Sequence, residues 1–464
     1  MSVNTEKENV QKVPKRILSS LLSSVAAGVV PRAGAPYIAI GRKDEIGAFL
    51  SDLEMVNEGG GALRFLVGQY GSGKSFLMQL IRGYALERDF ITADADLSPE
   101  RRLYGSSGSG VATYRELVRN LATKTSPDGG ALSGLLARWF SDLMGRLYEQ
   151  GLTNESPEFD TRMNEMVSRD VRQMESMVGG FDFSKILLTY YRAFRAGEEE
   201  RVSACMRWLR GEYANKTEAS QSVGFRVSSV ICDDNWYEYI KLWAAFARTI
   251  GYRGLVVFID ECVNLYKIPN RVSRENNYEK ILSMFNDTLQ GRAAGLAIVL
   301  GGTPQFLEDS RRGLYSYEAL RSRLCDSRFS NADYINLIGP VIRLRRLSDD
   351  ELFALVKRIT ALHGQMYNWE VRMTEKEMMD FLQICLSRAG ANVLITPREM
   401  LRDYMTILNL LYQNPGLHFA DLASSVTLKP DAQAEEEEPQ EKAPAPEAPE
   451  KTGRASFDPN EIQF

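Results

Sequence analysis

Three short runs of the chain are almost wholly apolar and end in small or acidic residues: Leu63-Arg-Phe-Leu-Val67, Leu255-Val-Val-Phe-Ile259 and Leu296-Ala-Ile-Val-Leu300. Runs of that length and character predict strands buried on both faces, as in a parallel sheet. Elsewhere apolar positions recur every three or four residues. Phe76-Leu-Met-Gln-Leu-Ile81 has no breaker before Gly83 and predicts a helix directly after the first strand. Trp236, Ile240, Trp243, Phe246 and Ile250 mark one helical face leading into the second.

Between the first two strands lie far more residues than a βα crossover needs. Tyr114-Arg-Glu-Leu-Val-Arg-Asn-Leu121, Leu132-Ser-Gly-Leu-Leu-Ala-Arg-Trp-Phe140 and Cys205-Met-Arg-Trp-Leu-Arg-Gly-Glu212 carry spaced apolar stripes, so a helical insertion is expected at about 107–226. Residues 347–416 show helical spacing without strand signals and predict a small all-α domain. Near the start, apolar residues at 17/18, 21/22 and 25 form a stripe broken by four serines. With Lys12, Lys15 and Arg16 ahead of it, the segment resembles a signal peptide, yet the stripe favours an amphipathic helix on the core. The expected organisation is an N-terminal helix and lead-in over 1–36, an α/β core over 37–346, the all-α domain, and a tail over 417–464.

A chain of 464 residues is long enough for two or three domains. Its net charge of −5 is unevenly placed, because ten acidic and only three basic residues fall in 431–464. The body is therefore close to neutral, which neither demands nor excludes a nucleic-acid partner. The tail, rich in Ala, Glu, Pro and Gln, cannot bury a core and is expected to be disordered. It ends in a segment, Phe457 to Phe464, whose Phe457, Ile462 and Phe464 suit a short docking motif. Cys205, Cys232, Cys262, Cys325 and Cys385 form no C-x-x-C pair and read as reduced thiols of a cytoplasmic protein. The two histidines, His363 and His418, lack ligand-like neighbours, and no run approaches the ~20 apolar residues of a membrane span.

The chemistry concentrates at the strand ends. Gly68-Gln-Tyr-Gly-Ser-Gly-Lys-Ser75 has the spacing G-x-x-x-x-G-K-[ST], with a strand before it and a helix after it. Gly71 and Gly73 allow positive φ, so that successive N–H groups can face phosphate oxygens at a helix N-terminus. The whole loop, Gly68, Gln69, Tyr70, Gly71, Ser72, Gly73, Lys74 and Ser75, is assigned to nucleotide binding. Lys74 would reach the β- and γ-phosphates of ATP, and the Ser75 hydroxyl would ligate Mg²⁺. The second strand ends in Asp260-Glu261. Carboxyl ends of parallel strands line the ligand crevice, so Asp260 would hold Mg²⁺ and Glu261 would orient and deprotonate a water. The third strand ends in Gly-Gly-Thr303-Pro, which would put a hydroxyl beside the γ-phosphate. In Ile395-Thr-Pro-Arg-Glu399, Thr396 can cap a helix and Pro397 can open it. Arg398 then sits where the helix end is already positive, a conflict that an anionic γ-phosphate would relieve.

These motifs together resemble a family. Ile40-Gly-Arg-Lys-Asp-Glu45 is similar to the G-R-x-x-E box of AAA+ and STAND-type ATPases related to origin-recognition proteins. GVVPRAGAPYIAIGR, WLRGE, GYRGLVVFIDE, LGGTP, LRSRL and TPREMLRD resemble BREX-system ATP-binding proteins of the BrxD-like kind, from about residue 28 to 412. The resemblance implies an AAA+-like P-loop NTPase in which Gly41 and Arg42 lie on the adenine side and the all-α domain forms a lid. It implies that Arg398 is the sensor-2 arginine, and that Arg321 or Arg323 reaches a neighbouring subunit's nucleotide in a homo-oligomer. Thr303 stands where many ATPases of this class carry asparagine. The implied setting is anti-phage defence beside a helicase of the Lhr type, with DNA nearby. No room follows the helical domain for a winged-helix module, so direct sequence-specific reading of DNA is not expected. The expected activity is Mg²⁺-dependent ATP hydrolysis coupled to movement; a nucleotide-gated switch and a helicase-recruiting adaptor are the alternatives.

Overall fold

A computed structural model describes residues 13–326, 336–388 and 396–423. In strand β1 (Gly61–Val67), Leu63, Phe65 and Val67 pack into one hydrophobic layer while Ala62 and Leu66 pack into another. The same two-sided burial holds for β3 (Leu255–Asp260) and β4 (Leu296–Gly302). Alternate side chains of one strand face opposite ways, so a run apolar at every position must be covered on both sides. Two further strands, β2 (Ile91–Asp96) and β5 (Val341–Arg343), complete a parallel sheet in the order β2-β3-β4-β1-β5. The register sets Val67 beside Gly302 and Arg343, and Asp96 beside Asp260. All these strands therefore end on one rim.

Helix α1 (Lys15–Ala26) buries Leu18, Leu21, Leu22 and Val25, the striped positions. Helices α2 (Lys43–Asn57) and α3 (Lys74–Glu87) cover the Ala62/Leu66 face through Phe49, Leu53, Leu77 and Ile81. The other face is covered by α4 (Ser109–Arg119), α10 (Trp236–Thr249) and α12 (Arg271–Leu289). Between α4 and α10 run α5 (Leu132–Glu149), α6 (Phe159–Arg172), α7 (Gly180–Ala196), α8 (Glu199–Leu209) and α9 (Lys216–Val223). Their core continues without a break into that of the sheet: Trp139 meets Phe246 edge-on at 5.1 Å, and Phe183 meets Trp243 at 5.0 Å. After β3 come a short α11 (Val263–Tyr266) and α12, and after β4 come α13 (Pro304–Glu308) and α14 (Glu318–Leu324).

Beyond β5 the chain is helical: α15 (Asp349–Tyr367), α16 (Glu375–Arg388), α17 (Pro397–Gln413) and α18 (Phe419–Ala423). Capping boxes start both α15 and α17, at Ser348–Glu351 and Thr396–Glu399. Helix α1 packs against α17 and α15, and Arg358 donates to the Tyr37 carbonyl at 2.9 Å. The ends of the chain's described part are thus tied to each other. The acidic tail and its Phe457–Phe464 segment lie outside the described residues, as does Ile395.

Two strands were not expected from the pattern. Strand β2 reads Ile-Thr-Ala-Asp-Ala-Asp, where Ile91, Thr92, Ala93 and Ala95 are buried and only Ile91 is a large apolar residue. Strand β5 is only three residues long.

Candidate nucleotide site

The loop after β1 is shaped by contacts that only glycine tolerates. A Cβ on Gly68 would lie 2.3 Å from Ser72 Oγ and 3.2 Å from Leu344 Cβ. Gly71 (φ +75°) faces Thr396, where a Cβ would come within 2.5 Å of the threonine methyl. Gly73 (φ +90°) has open space around it, so its glycine answers to backbone conformation alone. It is the N-cap residue of α3, which Lys74 opens. The Lys74 ammonium folds back over the loop and donates to the carbonyls of Gly68 (2.9 Å) and Gln69 (3.2 Å). Ser72 Oγ is buried without a partner. The loop therefore holds unspent donors at a helix N-terminus, as an anion site requires. Tyr70 is exposed, and the Gln69 amide oxygen accepts from Arg346.

Across β4 from this loop lies the end of β3. Ser75 Oγ donates to Asp260 Oδ2 at 2.7 Å, and Asp260 Oδ1 accepts from the Glu261 amide at 2.8 Å. The first glycine after Leu300 makes room for this carboxylate, since a Cβ on Gly301 would be 2.3 Å from Asp260 Oδ1. Glu261 has φ +57°, a left-handed conformation uncommon for a side-chain-bearing residue. Such strain persists where surrounding structure enforces it, and it turns the side chain out of the strand line.

The charges at this rim shift each other. Burial raises the Glu261 pKa, the Asp260 and Asp96 carboxylates raise it further, and Lys74 opposes them. Burial lowers the pKa of Lys74, against the pull of Asp260 and Glu261. Asp96, facing Asp260 across the β2–β3 register, is raised by burial and then by Asp260. Sequence reasoning missed this third carboxylate because it missed its strand. The alternation Ile-Thr-Ala-Asp-Ala-Asp was the available signal.

The remaining predicted residues fall around the loop in different ways. Arg42 is 4 % exposed and spends its guanidinium on protein: Ser72 O at 2.9 Å, Arg345 O at 2.8 Å and Glu45 Oε1 at 3.2 Å. It braces the loop's backbone from behind. Gly41 (φ +72°) presses on α15, where a Cβ would be 2.5 Å from Glu351 Oε1. The Thr303 hydroxyl accepts from the Phe306 amide at 3.3 Å and caps α13, keeping its own proton to donate. It follows Gly302, whose carbonyl accepts from the Gly68 amide at 3.1 Å, so it adjoins the start of the loop. Arg398 is exposed in the first turn of α17, two residues beyond Thr396, and makes no ion pair or hydrogen bond among the described residues. Arg321 and Arg323 are exposed on α14; Arg321 lies 3.8 Å from Glu318, and Arg323 donates to the Ala319 carbonyl at 2.6 Å. Neither contacts the loop of its own chain.

A family model for the BREX system ATP-binding protein BrxC/D matches residues 13–427 of the chain. The chain belongs to this family. No curated protein matches it. ATP is accordingly the ligand of this BrxC/D-family protein, and the site suits a triphosphate with its metal. Partnerless Ser72 Oγ, three glycines with no space or no tolerance for a Cβ, and the facing Ser75 and Asp260 oxygens are the donor set such a ligand needs. Among the described residues, no helix is long and apolar enough to cross a membrane.

Proposed function

We propose that this BrxC/D-family protein is a Mg²⁺-dependent ATPase whose active centre spans the Gly68–Ser75 loop and the Asp260–Glu261 strand end. The 2.7 Å bond between Ser75 Oγ and Asp260 carries the reading, because it puts side by side the hydroxyl and the carboxylate that a divalent cation would need. Bound ATP–Mg²⁺ would supply a reactive γ-phosphoryl group and neutralise its charge. Loop amides and Lys74 would hold the phosphates and Ser75 and Asp260 the cation; Glu261 would take a proton from the water that attacks the γ-phosphorus as its bond to the β-phosphate oxygen breaks and ADP leaves. Thr303 has a free hydroxyl proton with which to orient that water. Arg398 stabilises spreading negative charge from α17. Arg321 or Arg323 would serve a neighbouring copy in a homo-oligomer, and the output would act on DNA or on a partner helicase in the cytoplasm.

A switch with slow turnover is the second reading. The direct packing of Gly71 on Thr396 favours it, since the loop's occupancy then bears on the position of α17. Wild-type turnover separates the two, with Glu261→Gln as the variant that assigns it to this centre. Turnover measured with purified protein, alone, with DNA and with a helicase, should fall about 10²-fold or more in the variant while ATP binding persists. Wild-type protein that binds ATP without Mg²⁺-dependent turnover would leave only the switch. Loss of ATP uptake in Lys74→Ala is required by both.

A further inference from the structure

A polar cavity lies elsewhere on the same rim. Its volume is about 370 Å³, and its walls include Arg102, Ser106, Ser107, Ser109 and Ser273, with Glu100 at the edge. It is built by the segment that follows β2. Pro99, on its wall, is three residues from Asp96, so their Cα atoms are at most about 11 Å apart.

This segment is held rigidly. Asn277 of α12, fully buried, accepts from the amides of Leu103 and Tyr104 at 2.9 Å and donates to the Tyr104 carbonyl at 3.0 Å. Trp236 Nε1 donates to the Leu103 carbonyl at 2.9 Å, and Thr113 Oγ1 to the Arg102 carbonyl at 2.6 Å. A Cβ on Gly105 would strike Ser109 Oγ at 2.1 Å, so the glycine leaves that hydroxyl its place. The backbone is therefore preorganised around the cavity.

What the cavity presents is polar and unspent. Ser109 is 7 % exposed, and its hydroxyl has no hydrogen-bond partner among the described residues. The Arg102 guanidinium, on the cavity wall, makes no hydrogen bond or ion pair among the described residues, and its Nε is buried. Arginine can only donate, so the missing partner is an acceptor, and its fixed charge selects an anion. The end of helix α4 is not the source of this preference. Asp233 already takes the amides of Gly108 and Val111, each at 2.8 Å. The Glu100 carboxylate accepts from Ser98 Oγ at 2.9 Å; it is close enough to Arg102 for the two charges to attract, but no ion pair joins them among the described residues. A guanidinium ringed by hydroxyls matches a tetrahedral oxyanion, and the volume exceeds that of a phosphate several times over.

We propose that this cavity is a second phosphate site, which takes the phosphate of a nucleotide unit with Arg102 and Ser109 as its principal donors. The unit is either free or part of a single strand. The site is separate from the Gly68–Ser75 loop and does not depend on ATP hydrolysis.

The test uses the full chain carrying Lys74→Ala, so that the loop does not compete for the probe. Inorganic phosphate is titrated calorimetrically and a fluorescent oligothymidylate by anisotropy, both at matched ionic strength in chloride. Binding that survives Lys74→Ala and weakens about tenfold or more in both Arg102→Gln and Ser109→Ala supports the site. If the oligothymidylate shows that dependence, the source is a strand; if phosphate alone shows it, the source is a free nucleotide. Ser109→Ala removes one buried hydroxyl and leaves the Asn277 clamp in place, and unchanged melting temperatures establish that the variants fold. No uptake of either probe above chloride, or uptake indifferent to both substitutions, overturns the proposal.

Discussion

The methyl of Thr396 closes on Gly71 so tightly that a Cβ there would lie 2.5 Å away. A glycine of the nucleotide loop and the capping residue of α17, distant in sequence, therefore share one contact. The conformation of the loop and the placement of α17 are not independent.

Gly71→Ala tests that dependence. The substitution adds a clash to a residue at φ +75°, where a side chain alone costs about 1–2 kcal/mol. We expect ATP affinity to fall at least tenfold, with a lower melting temperature. Thr396→Ser keeps the capping oxygen and removes the nearer clashing atom, the methyl, while its own Cβ stays 2.8 Å from the added one. The double variant should regain part of the affinity, the backbone strain remaining. Equal affinities for the single and double variants would mean that the contact is not felt.

Arg42 should matter for stability before it matters for chemistry. Its removal leaves the Ser72 and Arg345 carbonyls without their donor and Glu45 without its buried partner. Arg42→Ala is expected to cost about 3 kcal/mol, read from the midpoint of denaturant unfolding. Lysine carries its three donors on a single nitrogen and cannot reproduce the spacing of the planar guanidinium, so Arg42→Lys should recover less than half of that loss. A variant as stable as wild type would put the brace elsewhere.

The legibility of the site in the sequence follows burial. Strands β1, β3 and β4 are covered on both faces and read as apolar runs, so the Gly68–Ser75 loop, Asp260–Glu261 and Thr303 could be placed from the pattern. Strand β2 buries alanines, whose small apolar surface leaves no such run, and Asp96 disappeared with it. Arg42 was legible as a motif residue, but its bonds to Ser72 and Arg345 depend on a tertiary approach that spacing does not encode. The cavity beside Arg102 was invisible for the same reason: Asn277 and Trp236, which hold it open, are remote in sequence. For Arg398 the electrostatic oddity of an arginine at a helix start pointed to an anionic partner, the γ-phosphate; the structure shows the side chain exposed in the first turn of α17.

His363 should impose a pH limit on stability. It is fully buried in α15; Trp369 Nε1 donates to its Nδ1 at 3.0 Å, and its Nε2 bonds Asn409 Oδ1 at 3.1 Å. The amide oxygen can only accept, so Nε2 carries the proton, and protonating Nδ1 would set two donors against each other. Burial lowers its pKa below the ordinary 6.5, against the pull of Asn409. A depressed folded-state pKa means that the unfolded chain binds the proton first. The contribution is therefore complete above about pH 6.5 and is lost as pH falls through the folded-state value, by about 1.4 kcal/mol per unit of depression. The melting temperature should decline on acidification from pH 7.5 to 5, with a shallower slope in His363→Gln. An identical slope in the variant would assign the decline to other groups.

Arg398 separates a catalytic contribution from a structural one. Exposed at the positive end of α17 and without an ion pair among the described residues, it gives the fold little beyond the packing of its stem beside Gly28. Arg398→Ala should shift stability by no more than about 0.5 kcal/mol in either direction. If the side chain meets the γ-phosphate only as charge spreads during hydrolysis, kcat should fall by about 10² while ATP affinity changes little. Lysine at this position keeps the charge but not the planar fork, and should restore only part of the rate. A lower affinity at constant kcat would instead make Arg398 a ground-state anchor, and an unchanged rate would remove it from the active centre. Comparison with Arg321→Ala and Arg323→Ala in mixtures with wild-type protein then tells an arginine acting within one chain from one acting between copies. Only the latter is rescued by a neighbour that supplies the missing side chain.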